Sequence, residues 1–393
     1  MKQVQVPWGV WYGSDPFTME FPDYWDISVH SMQGGADIGD EGIRTALDQP
    51  IGALPLRNHA QGKASAAILI DDLSRPTPSF RLLPIVIEEL AAAGIEKDNI
   101  KIICALAAHR PMTRDDLIKK VGLEIVETMQ VLNHNAYENL QFLGYSSRGI
   151  PIWVNRDLTS CEVRIALGMI TPRGGMFGGG AKLLIPGACG QQTIMLNHRH
   201  IRENFREHLS EVARMAGVDY IVNPLLNEEL EVMALVAGDT DAAFARGCQL
   251  ARKLYATEVP ESFDIGIFNA FPKDTELCQA GLAKTAMAGT KKNPLKAHST
   301  IVLCSASPEG LGWHSVLGPG TALRGKAATP TQRTLLFSPG VNKFDAIALF
   351  GEGVIFCKNW ADVLAELKNH HGEGAKVSVF SAGALQRAAD ADY

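Results

Sequence analysis

Three stretches of the chain gather side chains that can move a proton, grip an anion or carry a covalent group. They are Asp71-Asp72-Leu73-Ser74-Arg75-Pro76-Thr77-Pro78, Ala108-His109-Arg110-Pro111-Met112-Thr113, and Thr171-Pro172-Arg173 running on to Gly178-Gly179-Gly180-Ala181-Lys182. A histidine titrates near neutrality, which suits a general base. The planar fork of an arginine suits a carboxylate, so Arg75 reads as a clamp for an acidic substrate. Lys182 lies among six glycines (174, 175, 178, 179, 180 and 187) and beside Leu183-Leu184-Ile185-Pro186. Such a setting favours a perturbed or covalently used amine.

Each residue also has a plainer reading. Arg75 can pair with Asp71 or Asp72 to hold its own loop, His109 can satisfy a strand-end corner, and Lys182 can be a surface lysine. The glycines invite a phosphate cradle at a helix start. Lys182, however, is preceded by Ala181 and followed by Leu183, unlike a P-loop, and no dinucleotide fingerprint follows the first apolar strand. ATP hydrolysis and ordinary NAD chemistry are therefore disfavoured. In Leu196-Asn197-His198-Arg199-His200, two histidines at i, i+2 cannot both face one metal from a helix. Spacing alone leaves His198 unassigned.

The elements around these residues alternate between apolar runs and amphipathic stretches. Ala66–Ile70, residues 100–106 and residues 163–170 read as buried strands, and residues 80–95 as a helix stopped by Gly94. Thr113 with Asp116 three residues on reads as a capping box, and Ser146-Ser147-Arg148-Gly149 as a hairpin turn. After a pause at residues 258–262 the pattern restarts, with strands expected at 263–268, 300–304, 346–350 and 377–380 and a helix from Thr275. The expected class is α/β: an N-terminal unit over 1–259 bearing the catalytic groups, and a C-terminal α/β unit over 260–393 that closes a cleft. Mostly parallel sheets place ligands beyond the carboxyl ends of their strands, where the loops bearing Arg75, His109 and Lys182 converge.

Composition narrows the function classes. The 393 residues are 46% hydrophobic and 20% charged, with 37 basic against 43 acidic side chains and a formal net charge of −6. That balance gives a polyanion little to hold, so no nucleic-acid partner is expected. The first residues lack the pattern of a signal peptide and no apolar run is long enough to span a bilayer, so a cytoplasmic protein without a membrane partner is expected. The seven scattered cysteines contain no CxxC pair, which reads as reduced core residues rather than a thiolate zinc site.

In order and spacing, the three blocks and the continuation through Pro186-Gly187 to Asn197-His198 resemble the nickel-pincer nucleotide-dependent lactate racemase family. Asp274-Thr275-Glu276-Leu277-Cys278-Gln279-Ala280 and the region of Trp360 extend the likeness toward the C-terminus. The resemblance implies an isomerase, a racemase or epimerase of a 2-hydroxy acid, working by reversible hydride transfer. It implies a pyridinium-3,5-bisthiocarboxylic acid mononucleotide joined to Lys182, and nickel held by that cofactor and by His198. Sulfur and imidazole donors suit square-planar nickel. By the same resemblance, His109 accepts the hydroxyl proton, Arg75 grips the carboxylate, Asp72 supports the cofactor or Arg75, and Gly179 and Gly180 cradle the cofactor. Gln279 lies near the substrate, Trp360 closes the pocket, and cofactor-biosynthesis enzymes are implied partners.

Two positions depart from the family pattern. Arg173 stands where a second catalytic histidine is usual, and Leu282 where a substrate-binding lysine is usual. Arginine stays protonated and is a poor base. The expected substrate is therefore a 2-hydroxy acid other than lactate, with Arg173 binding an extra anionic or hydroxyl group and His314 as the candidate for the second face. The alternatives are different hydroxyl redox chemistry on the same cofactor, or a cofactor-binding protein without turnover.

Overall fold

The strand Ala66–Ile70 has every residue buried. It lies inside the first of two six-stranded sheets in a computed structural model that describes residues 1–13, 15–200, 204–316, 318 and 332–393. From one edge, that sheet runs Val232–Asp239, Tyr220–Leu226, Val163–Leu167, Ala66–Ile70, Ile100–Cys104 and Gln130–Asn133. Only the first pair is antiparallel. Parallel strands need crossovers, so the polar loops after Ile70, Cys104 and Leu167 emerge on one side.

The second sheet is parallel throughout. Its order is Val354–Cys357, Arg333–Phe337, Leu295–Cys304, Phe263–Asn269, Lys376–Phe380 and Asp26–His30. The last strand comes from the N-terminus, within the segment expected to belong to the first unit. The antiparallel pair Lys2–Val6 and Phe17–Phe21 packs there too, since Val6, Met19 and Phe21 share a core with Ile265 and Val379. The segment between them ties the two sheets together: Gly9 N and Val10 N donate to Asp274, and Trp11 Nε1 donates to Leu73 O at 2.9 Å.

The expected strand at 346–350 is a correction: Lys343–Phe350 is a helix. Asn342 Oδ1 accepts from Phe344 N and Asp345 N, and this N-cap outweighs the apolar run. The expected helix from Thr275 is a 3₁₀ helix over Leu277–Met287. The capping box at Thr113 and Asp116 is present, and the hairpin pairs Leu140–Tyr145 with Pro151–Asn155.

Two features pin the loops that carry the chemistry. Arg173 is followed by a tight turn in a short antiparallel pair, Thr171–Arg173 with Met176–Gly178, whose two glycines take φ of 49° and 99°. Positive φ at both central positions suits glycine and returns the chain toward Gly178. The buried Lys120 ammonium donates to Asp71 Oδ1 at 2.5 Å, Arg75 O at 2.8 Å and Asp72 O at 3.2 Å. All three of its donors thus close the 71–75 loop. Replacing Lys120 with Met leaves Asp71 buried without its cationic partner, held among the described residues only by Thr77 Oγ1 at 2.6 Å. It is expected to cost about 3–5 kcal/mol, read as a lower urea midpoint; a loss below about 1 kcal/mol would contradict this role.

Candidate active site

The loops beyond the first sheet's carboxyl edge enclose one cavity. Asp72, Arg75, His109, Arg173, Gly179, Lys182, His198 and His314 all line it. The sheet order separates its flanks. Arg75 follows the middle strand, His109 follows the neighbour on one side, and Thr171 and Arg173 follow the neighbour on the other.

His109 and Asp72 form a dyad. The ring Nδ1–H donates to Asp72 Oδ2 at 2.6 Å, and the other oxygen, Oδ1, accepts from Ser74 N at 3.0 Å and from the Ser74 hydroxyl. Burial disfavours charge on both partners. The imidazole nevertheless holds the Asp72 carboxyl far below the usual carboxylate range, and Asp72 pushes His109 above the ordinary histidine value. With Nδ1 tied to the carboxylate, Nε2 is the nitrogen left for a substrate proton. Asp72 thus orients His109, whereas the sequence reading had it supporting the cofactor or Arg75.

Arg75 is anchored by its own loop, with Nη1 donating to Ser74 O and Ser74 Oγ, each at 2.9 Å. Asp71 is engaged by Lys120 and by Thr77 Oγ1, and Asp72 by His109. Among the described residues Arg75 forms no ion pair within 4 Å; its charge acts on Asp72 without a direct contact, and its loop contacts are to Ser74. Arg173 has no hydrogen-bond or ion-pair partner among the described residues; burial, reinforced by Arg75, pushes its guanidinium down to about 10. It remains a cation at neutral pH.

The Lys182 amine likewise has no hydrogen-bond or ion-pair partner among the described residues, and Nζ sits 5.2 Å from the Phe205 ring centroid. Burial first, then Arg173, Arg75 and Arg206, hold it well below the ordinary lysine value. A neutral amine is the nucleophilic form. The loop around it is tight: a Cβ on Gly187 would meet Leu183 O at 1.8 Å and Ala105 Cβ at 2.9 Å. Gly180 N already donates to Asn223 Oδ1 at 2.9 Å, so that amide has a partner within the chain.

His198 Nδ1–H donates to Ile194 O at 2.7 Å. This fixes the tautomer and leaves Nε2 as a ligand nitrogen. Burial pushes the ring below the ordinary histidine value, with smaller contributions from Lys182, Arg173 and His109. No group of three or more His, Cys, Asp or Glu that could hold a metal occurs among the described residues. A nickel ion here would take one nitrogen from the chain and its other donors from a cofactor, and His198 Nε2 is a free ring nitrogen lining the same cavity as the Lys182 amine.

Not every expected residue gathers here. His314 does, with its ring centroid 5.2 Å from His109 and 6.2 Å from His198. Burial first, then the neighbouring histidines and arginines, pushes its ring down to about 3. Gln279 is buried at 5% exposure and is not among the residues lining the cavity. Trp360 is placed elsewhere: it packs edge-on against Phe17, Phe21 and Phe337, and its Nε1 donates to Glu20 O at 2.9 Å. It belongs to the second sheet's core and does not close the pocket.

Lys273 was missed. It arrives from the second sheet, is fully buried, and donates to Thr171 Oγ1 at 2.9 Å. Its place just past the carboxyl end of the strand Phe263–Asn269 is the available sequence signal.

With this geometry in place, the comparisons with known proteins define the class. The profile of the lactate racemase N-terminal domain matches residues 12–210. The chain belongs to that family. A lactate racemase from Lactiplantibacillus plantarum is 27% identical over 290 residues, covering 69% of this chain and 67% of its own. One from Thermoanaerobacterium thermosaccharolyticum is 26% identical over 334 residues, covering 79% of this chain and 76% of its own. The fold matches the lactate racemase apoprotein of T. thermosaccharolyticum with a TM-score of 0.74 at 21% identity, over 98% of this chain and 99% of that one. A Thermotoga maritima protein matches with a TM-score of 0.67 at 15% identity, over 89% and 98%.

The dyad is open to a direct check by NMR of labelled histidine rings. His109 is expected to titrate above the ordinary value of 6.5, and Asp72→Asn to bring it below, because burial then acts without the carboxylate. As a raised folded-state value, this pairing stabilises the fold fully below the unfolded histidine pKa and is lost as pH rises through the His109 value. An unchanged titration in Asp72→Asn would contradict the pairing.

Proposed function

We propose that the protein is a racemase or epimerase of a 2-hydroxy acid other than lactate. It carries a nickel-pincer nucleotide on Lys182 and uses His198 Nε2 as the chain's nickel ligand. The observation that carries this reading is the meeting of three unlike groups in one cavity: an Asp72–His109 dyad, an unpartnered Lys182 amine and a tautomer-fixed His198.

The residues divide the work. Arg75 and Arg173 supply two cations for a substrate carboxylate and a further anionic or hydroxyl group, and the second of these argues for a substrate larger than lactate. His109 Nε2 takes the hydroxyl proton: the substrate O–H bond breaks, an N–H bond forms, and Asp72 stabilises the resulting imidazolium. When bound, the cofactor supplies the acceptor for the hydrogen on the carbinol carbon. Family membership and the lactate racemases it resembles support the isomerase class.

The protein is to be produced together with the cofactor-making enzymes. An intact-mass increment and about one nickel per chain are expected; Lys182→Ala removes the increment and His198→Ala removes the nickel. Polarimetry with lactate, malate and sugar acids is expected to show racemisation or epimerisation of a non-lactate acid, slowed by about 10²–10⁴-fold in His109→Gln. Mass and metal unaltered by either substitution would overturn the cofactor assignment, and no optical change with any acid would overturn the reaction class.

A further inference from the structure

Interconverting two stereoisomers through a planar ketone needs a proton-transfer group on each side of it. His109 serves one flank of the loop that bears Arg75. On the other flank, the Arg173 guanidinium keeps its proton and Lys182 is reserved for the cofactor. The His314 ring lies near both His109 and His198, at centroid distances of 5.2 and 6.2 Å. Thr171 is the remaining hydroxyl on that wall, and behind it lies Lys273 Nζ at 2.9 Å.

Lys273 is held for this contact. Its amide N–H donates to Ala270 O at 2.8 Å, and the adjacent Asp274 carboxylate is turned away to Gly9 N and Val10 N. The groups that act on it are the Arg75 and Arg173 guanidinium cations and, after them, the Lys182 amine. Burial and these like charges favour the neutral amine, which can both accept and donate a proton.

We propose that Lys273, acting through the Thr171 hydroxyl, moves the substrate proton on the side of the cavity opposite His109. With the Thr171 hydroxyl turned to Nζ from Pro172 O, its acceptor at 3.3 Å, the substrate hydroxyl proton passes to Thr171 Oγ1 while the Thr171 proton passes to the Nζ lone pair, giving an ammonium. The bound cofactor would supply the acceptor for the carbinol hydrogen and its electron pair, so that the alcohol becomes a ketone, and reversal would restore it. The inference rests on the racemase reading, and lysine titration in the cofactor-free protein separates the two.

In cofactor-free protein carrying lysine labelled at the ζ nitrogen, NMR is expected to show two lysines titrating far below the others, one absent in Lys182→Ala and the other absent in Lys273→Met and moving upward in Arg173→Gln. A Lys273 signal that titrates with the surface lysines overturns the proposal. In loaded enzyme, the first-turnover loss of cofactor absorbance is followed with D- and L-malate and with D- and L-lactate. Lys273→Met and Thr171→Val are expected to slow one stereoisomer of the pair by about 10²-fold or more with mass and nickel unchanged, Thr171→Ser to retain the rate, and His109→Gln to slow the other. Equal slowing of both stereoisomers, or of neither, overturns it. A wild type that interconverts neither acid counts against the proposed function, and the titration still decides whether Lys273 holds a neutral amine.

Discussion

The site is governed by a shortage of negative charge. Asp71 is engaged by Lys120 and Asp72 by His109, so Arg75, Arg173, Lys182 and Lys273 meet in a largely buried region with no salt bridge to a carboxylate among the described residues. Like charges there penalise one another far more than in water. The arginines keep their protons, so the relief falls on the lysines, whose amines are driven toward the neutral form. The same arrangement makes an anion the natural guest. One constraint thus yields a nucleophilic amine, an acid-gripping wall and a proton acceptor.

The fold creates that crowding. Parallel order in the first sheet puts three loops at one edge, and the second sheet brings His314 and Lys273 across to them. The segment Gly9–Tyr12 keeps the two in register, with Tyr12 Oη donating to Glu309 Oε1 at 2.8 Å and Arg110 pairing with the same carboxylate at 2.7 Å. Ser315 N donates to Ala108 O at 2.8 Å, joining the His314 loop to the His109 loop.

Much of this was legible in the chain because it is local. The apolar runs ending at Ile70, Cys104 and Leu167, the Thr113 capping box and the Ser146–Gly149 turn each carry their signal within a few residues. The parallel-sheet rule then gathered Arg75, His109 and Lys182. What escaped depends on distance or competition. Lys273 meets Thr171 across 102 positions, and nothing in its neighbourhood marks it as buried. Lys120 stands in a last helical turn, where a lysine ordinarily reads as solvated. Residues 346–350 are apolar enough for a strand, but the Asn342 cap starts a helix. Trp360 is large and apolar, and the aromatic core of the second sheet claimed it.

The most direct measurement of this charge balance is the pH dependence of Lys182 acylation in the cofactor-free protein, by trace acetic anhydride labelling and mass spectrometry. Lys182 is expected to react with an apparent pKa well below that of exposed lysines such as Lys291, and Arg173→Gln to raise it by removing a neighbouring cation. A Lys182 that titrates with the exposed lysines in both proteins would contradict the account.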